Sequence, residues 1–328
     1  DVFSYPNSAM VSAKFSAEYF VQVPSRNFEA KGLQVMVPTT YNPLTRSYSP
    51  NNGNDWDGTF KTDANGDIAK QWTDNPAWCY FDILTNRRYG LGRYITGADV
   101  SVDKWTLYNI ARYCDVLVSD GYGKLEPRFS CNVYIGDRDE ASKVINQMAS
   151  VFRGITYYAA GTIFAVQDSP KNSYTEFTNA NVENGDFIYS SSSKRVRHTV
   201  AIVRYNDKRN YYKPAVEYVE DIDGIRRYGI REMETVAFGA TSRGQAVRFG
   251  KWALLTETSE TETVNFTAGL EGTHVRPGDV IQISDSNRRG SRYGGRTYQL
   301  IDASTILLDS QVSLASTQLY YFHLLTPT

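Results

Sequence analysis

Histidine is the first place to look for chemistry, and it is scarce: His198, His274 and His323. None is followed at i+3 or i+4 by a His, Cys or carboxylate in a metal-ligand pattern. His198 stands at a strand start and reads as structural. Asp63-Ala-Asn-Gly-Asp67 puts oxygens at the first, third and fifth places of a calcium loop, with Asp74 at the twelfth. The sixth place is Ile68, where the sharp turn needs glycine, and the twelfth lacks the bidentate Glu, so a solvated turn is expected. Gly239-Ala-Thr-Ser-Arg-Gly244 misses the nucleophile-elbow spacing by one residue, and Ser242 is expected to cap a helix. Gly90-Leu-Gly92 and Gly121-Tyr-Gly123 lack the third glycine of a dinucleotide loop, and Lys124 does not make a phosphate loop. Paired carboxylates for glycoside hydrolysis could be drawn from Asp82, Glu126, Glu217, Glu220 and Asp221, but nothing selects a pair. Arg288, Arg289, Arg292 and Arg296 form one basic loop, either solvated or in contact with an acidic partner or passing nucleic acid. No residue is put forward as catalytic, cofactor-binding or metal-ligating, and no cofactor is expected.

Composition sets the bounds. The chain has 328 residues, enough for two or three domains, with 41% hydrophobic and 22% charged residues. Its 24 Tyr suit a β-rich protein or an assembly surface. Net charge is −1, without the basic excess of a protein that grips DNA by its phosphates. No apolar run approaches the ~18 residues of a spanning helix, and the opening residues carry no leader pattern. The chain opens on Asp1, as a processed or excised piece would. Cys79, Cys114 and Cys131 are few, odd in number and far apart, so reduced buried thiols are expected.

The clearest helix signal is 74–92. Asp74 or Asn75 can cap it, Pro76 suits its first turn, and Ala77, Tyr80, Phe81 and Leu84 repeat at helical spacing. Gly90 and Gly92 are expected to end it by taking the left-handed conformation. A second helix follows Ser101, with Leu107, Ile110, Ala111, Cys114 and Val118 on one stripe. Glu126–Ile135 reads as a strand. Asp137-Arg-Asp-Glu140 has capping-box spacing and opens a helix buried through Ala141, Val144, Ile145, Met148, Ala149 and Phe152. Ile145→Asp is therefore expected to unfold this region. Residues 155–159 and 162–167 read as a hairpin around Ala160-Gly161.

Before these elements, 11–15 and 32–37 are strand candidates, and Tyr41–Asp55 is a turn-rich loop containing Asn52-Gly53. After them, strands are expected over 199–205, 215–219, 231–238, 262–268, 280–284, 298–303, 305–308 and 319–325. A helix opened by a capping box, Ser242-Arg-Gly-Gln245, and buried through Ala246, Phe249, Ala253 and Leu254 interrupts them. The order predicts an α+β, β-rich, multi-domain chain.

Four words occur in one order: Asn75-Pro-Ala-Trp-Cys79, Arg88-Tyr-Gly-Leu-Gly92, Thr241-Ser-Arg-Gly-Gln-Ala246 and Pro277-Gly-Asp-Val-Ile281. With Trp56-Asp-Gly-Thr-Phe-Lys61, Asp103-Lys-Trp-Thr-Leu-Tyr108 and Val166-Gln-Asp-Ser-Pro170, the chain resembles the tip attachment (host specificity J) proteins of long-tailed phages over nearly its whole length. Two departures stand out. Ala240 occupies a place where that family carries Cys, and 62–71 is longer. The resemblance implies the homotrimeric hub of a virion tail tip, assembled in the bacterial host cytoplasm. It implies a β-barrel-like hub domain over 1–73 and 174–270, an α+β domain over 74–173 and a small C-terminal β domain over 271–328. Such a hub joins tail tube to central fibre and gates passage of tape measure protein and DNA. The implied partners are further copies of the chain, other tail tip proteins, distal tail protein, tape measure protein, DNA only in transit, and a host receptor reached through a distal region expected to be absent here. Two other readings stay open: a cell-surface carbohydrate-active enzyme and a carbohydrate-binding module.

Overall fold

The computed structural model describes residues 10–25, 28–49, 56–95, 101–136, 140–191, 197–289, 297–302, 304–309, 311–312, 314 and 319–321. The chain divides into two units, 1–33 and 34–328. In the first, the amides of Tyr19 and Phe20 donate to the Ser16 carbonyl, and Phe15 meets Phe20 edge-on at 5.9 Å. The strand expected at 11–15 does not form; Met10, Val11, Tyr19 and Val21 are exposed.

The second unit opens with β1 (Gln34–Val35), β2 (Tyr41–Asn42), β3 (Ser47–Tyr48) and β4 (Gln71–Trp72). β1 pairs with β4 and β2 with β3, both antiparallel. Asn52-Gly53 lies outside the described residues. The Asp63 carboxylate accepts the amides of Asn65 and Asp67 at 2.9 and 3.0 Å, so this run closes on itself as a turn. α1 (Pro76–Thr85) begins as its residues dictate: Asn75 Oδ1 accepts the Ala77 amide at 3.0 Å and Pro76 takes the first helical position. Ala77, Tyr80, Phe81 and Leu84 are buried, and so is Trp78.

Its end differs from expectation. α1 stops at Thr85, and neither Gly90 nor Gly92 is left-handed. Their role is close approach: a Cβ on Gly90 would lie 2.1 Å from the Ile83 carbonyl oxygen, and one on Gly92 2.1 Å from that of Thr85. The chain folds back over the last turn of the helix, and the Leu91 amide satisfies the Ile83 carbonyl at 2.9 Å. α2 (Gly92–Ile95) and β5 (Ser101–Val102) follow.

α3 (Lys104–Asp115) is capped by Asp103 and buries Leu107, Ile110, Ala111 and Cys114. Val118 is not on that stripe. It lies in β6 (Leu117–Ser119), which pairs with β7 (Leu125–Pro127). The long strand expected over 126–135 is cut to β7, because the amides that follow bond to scattered segments. Arg128 donates to Val116, Phe129 to Cys114, Cys131 to Asp74 and Asn132 to Gly239. α4 (Ala141–Val151) has Glu140 at its cap position; the expected Asp137 cap lies outside the described residues. Met148, Ala149 and Phe152 are buried, Val144 and Ile145 only partly, and Ala141 is exposed. Left-handed Arg153 ends the helix. β8 (Gly154–Ala159) and β9 (Thr162–Gln167) form the expected hairpin, with φ of 47° at Ala160 and 74° at Gly161. One core runs from Val35 and Val37 through α1, α3 and α4 to Ala165.

The remaining elements are β10 (Thr175–Thr178), β11 (Ile188–Ser191), β12 (Val200–Asp207), β13 (Lys213–Glu220), α5 (Ile222–Tyr228), β14 (Glu232–Val236), α6 (Arg243–Ser259), β15 (Glu262–Asn265), β16 (Ile281–Ser284), α7 (Ser286–Arg289), β17 (Thr297–Asp302) and β18 (Thr305–Leu308). β12 is central, antiparallel to β13 and parallel to β14. Ala201, Val203, Tyr205 and Val219 point to one face of this sheet, and Ala246 and Leu254 of α6 cover it in a second core. β10 runs parallel to β16, β11 antiparallel to β15, and β17 antiparallel to β18. Most of 319–325, expected as a strand, lies outside the described residues.

The expected barrel-like hub is not found. Among the described residues every sheet has two or three strands and none closes. Closure needs strands enough to tilt around an axis, whereas the largest sheet on this side has α6 on one face and two open edges. The chain is a mixed α+β protein.

Candidate functional site

The residues singled out for chemistry are dispersed. His198 Nδ1 lies 3.0 Å from Glu257, whose carboxylate also accepts the His198 amide. His274 ends a short 3-10 turn, and His323 lies outside the described residues. Asp82 is buried and accepts from Tyr89 and Asn86. Glu126 takes Arg248 at 2.7 Å and Ser242 at 3.0 Å. Glu217 takes Arg243 at 2.6 Å. Each of these three carboxylates is held by its own donors. Glu220 and Asp221 share a concave surface, a cleft of about 960 Å³ between α5 and α6. Arg288 of the basic loop pairs with Glu262 at 2.6 Å and lies 4.4 Å over Tyr189; Arg292 and Arg296 lie outside the described residues.

The four words behave differently: they join segments of the chain, Asn75–Cys79 and Thr241–Ala246 at largely buried positions and the other two nearer the surface. Thr241–Ala246 is accounted for residue by residue. The Thr241 carbonyl accepts the Lys208 amide, and Ser242 Oγ accepts the Gln245 amide at 3.0 Å while donating to Glu126. Arg243 pairs with Glu217 and lies 4.3 Å over Tyr122. Gly244 packs so tightly that a Cβ would sit 2.5 Å from Glu126 Oε1 and 2.8 Å from the Asp120 carbonyl oxygen. The Gln245 side chain does not complete a capping box. It accepts from the Ser130 amide and donates to its carbonyl, at 3.1 and 3.0 Å. Ala246 is fully buried. The word ties α6 to the β6–β7 hairpin and to the irregular stretch after it.

Asn75–Cys79 does the same between helices. Beyond its cap bond, Asn75 donates to the Ala111 carbonyl at 2.9 Å and to Asp115 at 2.7 Å, tying the start of α1 to the end of α3. In Pro277–Ile281, Gly278 is left-handed with φ 89°, and a Cβ there would lie 2.1 Å from Val166. The Val280 carbonyl accepts the Tyr174 amide as β16 enters its pairing with β10.

One joint carries no sequence signal. Left-handed Arg46 reaches into the first core and pairs with Asp74 and, through Nε at 2.5 Å, with Asp115, while Nη2 donates to the Phe129 carbonyl at 2.9 Å. Tyr48 donates to Asp115 at 2.9 Å. Burial opposes the Arg46 charge, but Asp74 and Asp115 outweigh it and raise its pKa. Asp115 is also raised, because burial there exceeds the pull of Arg46, Tyr48 and Asn75. Both directions describe a desolvated pair that holds segments together at a cost to the carboxylate. Cys79, Cys114 and Cys131 are free, and burial pushes the Cys131 thiol up to about 12. Ala240 is buried in the second core.

Residues 140–297 match a protein family described as "Putative phage tail protein". The chain is 39% identical over 285 residues to the tip attachment protein J of Escherichia phage SECphi27, covering 87% of this chain and 23% of that protein. It is 34% identical over 313 residues to the tip attachment protein J of Escherichia phage SECphi4, covering 94% of this chain and 26% of that protein. The chain thus spans about a quarter of the length of the curated relatives it matches.

Proposed function

Because this chain belongs to the tip attachment protein J family, we propose that it is a structural, non-enzymatic segment of a phage tail tip. The observation that carries this reading is the use of the four words. The glycines of three of them pack against other segments, and Asn75, Ser242 and Gln245 spend their side-chain bonds between segments of the chain, as in a part built to hold shape. The finer reading follows from the family resemblance. Three copies surround the tail axis, join the tube to the central fibre, and open to let tape measure protein and DNA pass. Distal tail protein and other tail tip proteins are the neighbours, and a region outside this chain contacts the host receptor.

Two features support the assembly role. The outer face of the β13–β12–β14 sheet exposes Val216, Tyr218 and Val236, and the outer edges of β13 and β14 carry no described partner strand. A net charge of −1 suits a conduit that must not retain phosphate. Light scattering tests the reading: a particle of three chains that carries a hole in averaged images supports it. A strict monomer across the micromolar range, or tight and salt-sensitive binding to duplex DNA, overturns the ring and conduit.

A further inference from the structure

The tail role leaves the cleft between α5 and α6 without a task. Cations line it: Arg197 and Arg227 both approach the Tyr228 hydroxyl, and Lys251 of α6 borders the same space. Among the described residues none of these three cations makes an ion pair. The Arg197 Nε is buried without a hydrogen-bond partner. Arg226 differs, since Asp223 answers it at 3.5 Å. The cleft also presents Glu220 and Asp221, which make no ion pair among the described residues, and the apolar side chains of Leu254 and Leu255.

These requirements conflict for a simple ligand. Two guanidiniums gathered around one phenol repel each other until an anion is shared between them. A bare anion would in turn face two carboxylates. A neutral sugar would satisfy the carboxylates through its hydroxyls and leave the guanidiniums unanswered. A molecule carrying both an acid group and hydroxyl donors answers both kinds of group, and a volume of about 960 Å³ accommodates it. We propose that this cleft binds an acidic saccharide. Its phosphate or carboxylate sits on Arg197, Arg227 and Lys251, and its hydroxyls donate to Glu220 and Asp221.

Titration calorimetry on the full chain tests this with glucose 6-phosphate, glucuronate, glucose and inorganic phosphate. At least one acid sugar binds, and glucose and phosphate bind about tenfold more weakly or worse. Which acid sugar binds tighter identifies the acid group. Arg227 and Lys251 are exposed, so the R227A/K251A variant keeps its melting temperature and loses about tenfold in affinity. Glu220→Gln, also at an exposed position, weakens the acid sugar and leaves phosphate no weaker. The proposal is overturned by absence of binding for both acid sugars at about 10 mM. Phosphate binding as tightly as glucose 6-phosphate, or affinity unchanged in R227A/K251A, overturns it equally. These outcomes are independent of the assembly test, which reads particle mass.

Discussion

Arg46→Met isolates the joint on which the first core turns. The substitution keeps most of the aliphatic bulk and removes the charge that answers Asp74 and Asp115. The Asp115 side chain is 2% exposed and that of Asp74 23%, so the cost falls mainly on Asp115. Breaking a buried ion pair costs about 3–5 kcal/mol. Asp115 retains donors in Tyr48 and Asn75, which places the loss near ~3 kcal/mol. With a urea slope of about 3 kcal/mol/M, the unfolding midpoint drops by about 1 M. The pH dependence follows from the raised Asp115 pKa. A carboxyl whose folded pKa lies above its unfolded value favours folding fully below the unfolded value, and that contribution is lost as pH rises through the folded one. Losing Arg46 raises the folded value further, so the destabilisation is largest at neutral pH and shrinks as acidification protonates Asp115. Adding Asp115→Asn recovers roughly 1–2 kcal/mol at neutral pH, read as a double-mutant cycle. A loss under about 1 kcal/mol, or one that does not shrink as the pH is lowered towards the acid transition, would refute the reasoning.

Other outcomes follow from the same packing. Gly244→Ala should cost about 1–2 kcal/mol, since overpacking against the Asp120 backbone exceeds the gain in helix propensity, and should lower the melting temperature by roughly 2–3 °C. Met148→Asp should abolish cooperative unfolding. Ile145→Asp, at a half-buried site, should cost only roughly 1–3 kcal/mol, a correction to the outcome expected from helical spacing, and circular dichroism melts separate the two. Cys114 and Cys131 should react with a thiol reagent only as the chain unfolds, because they are buried and hold little thiolate at neutral pH; fast labelling in native buffer would contradict their placement.

Local signals in the sequence carried local structure. Asn75-Pro76 marked the start of α1, Ala160-Gly161 the hairpin turn, and Ser242 the start of α6, because a cap or a turn is decided by neighbours along the chain. What the sequence did not disclose depends on distance. Arg46 meets Asp74, Asp115 and Phe129 across 28, 69 and 83 residues, and no periodicity marks a loop arginine that turns inward. Residues 128–132 alternate like a strand, yet their amides bond to separate segments. Gly90 and Gly92 punctuate α1 by close approach and not by a left-handed turn, since the carbonyls they meet come near only once the chain folds back. The cleft between α5 and α6 draws on residues from 197 to 258, and its cations and carboxylates look like ordinary surface charges in sequence.

Whether this chain is built into a tail tip can be settled on the phage particles that carry it, by labelling virions with gold-conjugated antibody raised against the chain. A tail-tip part places gold at the end of the tail distal to the head. Gold on the head or along the tube, or virions free of label while the antigen stays in the lysate, would contradict the structural role.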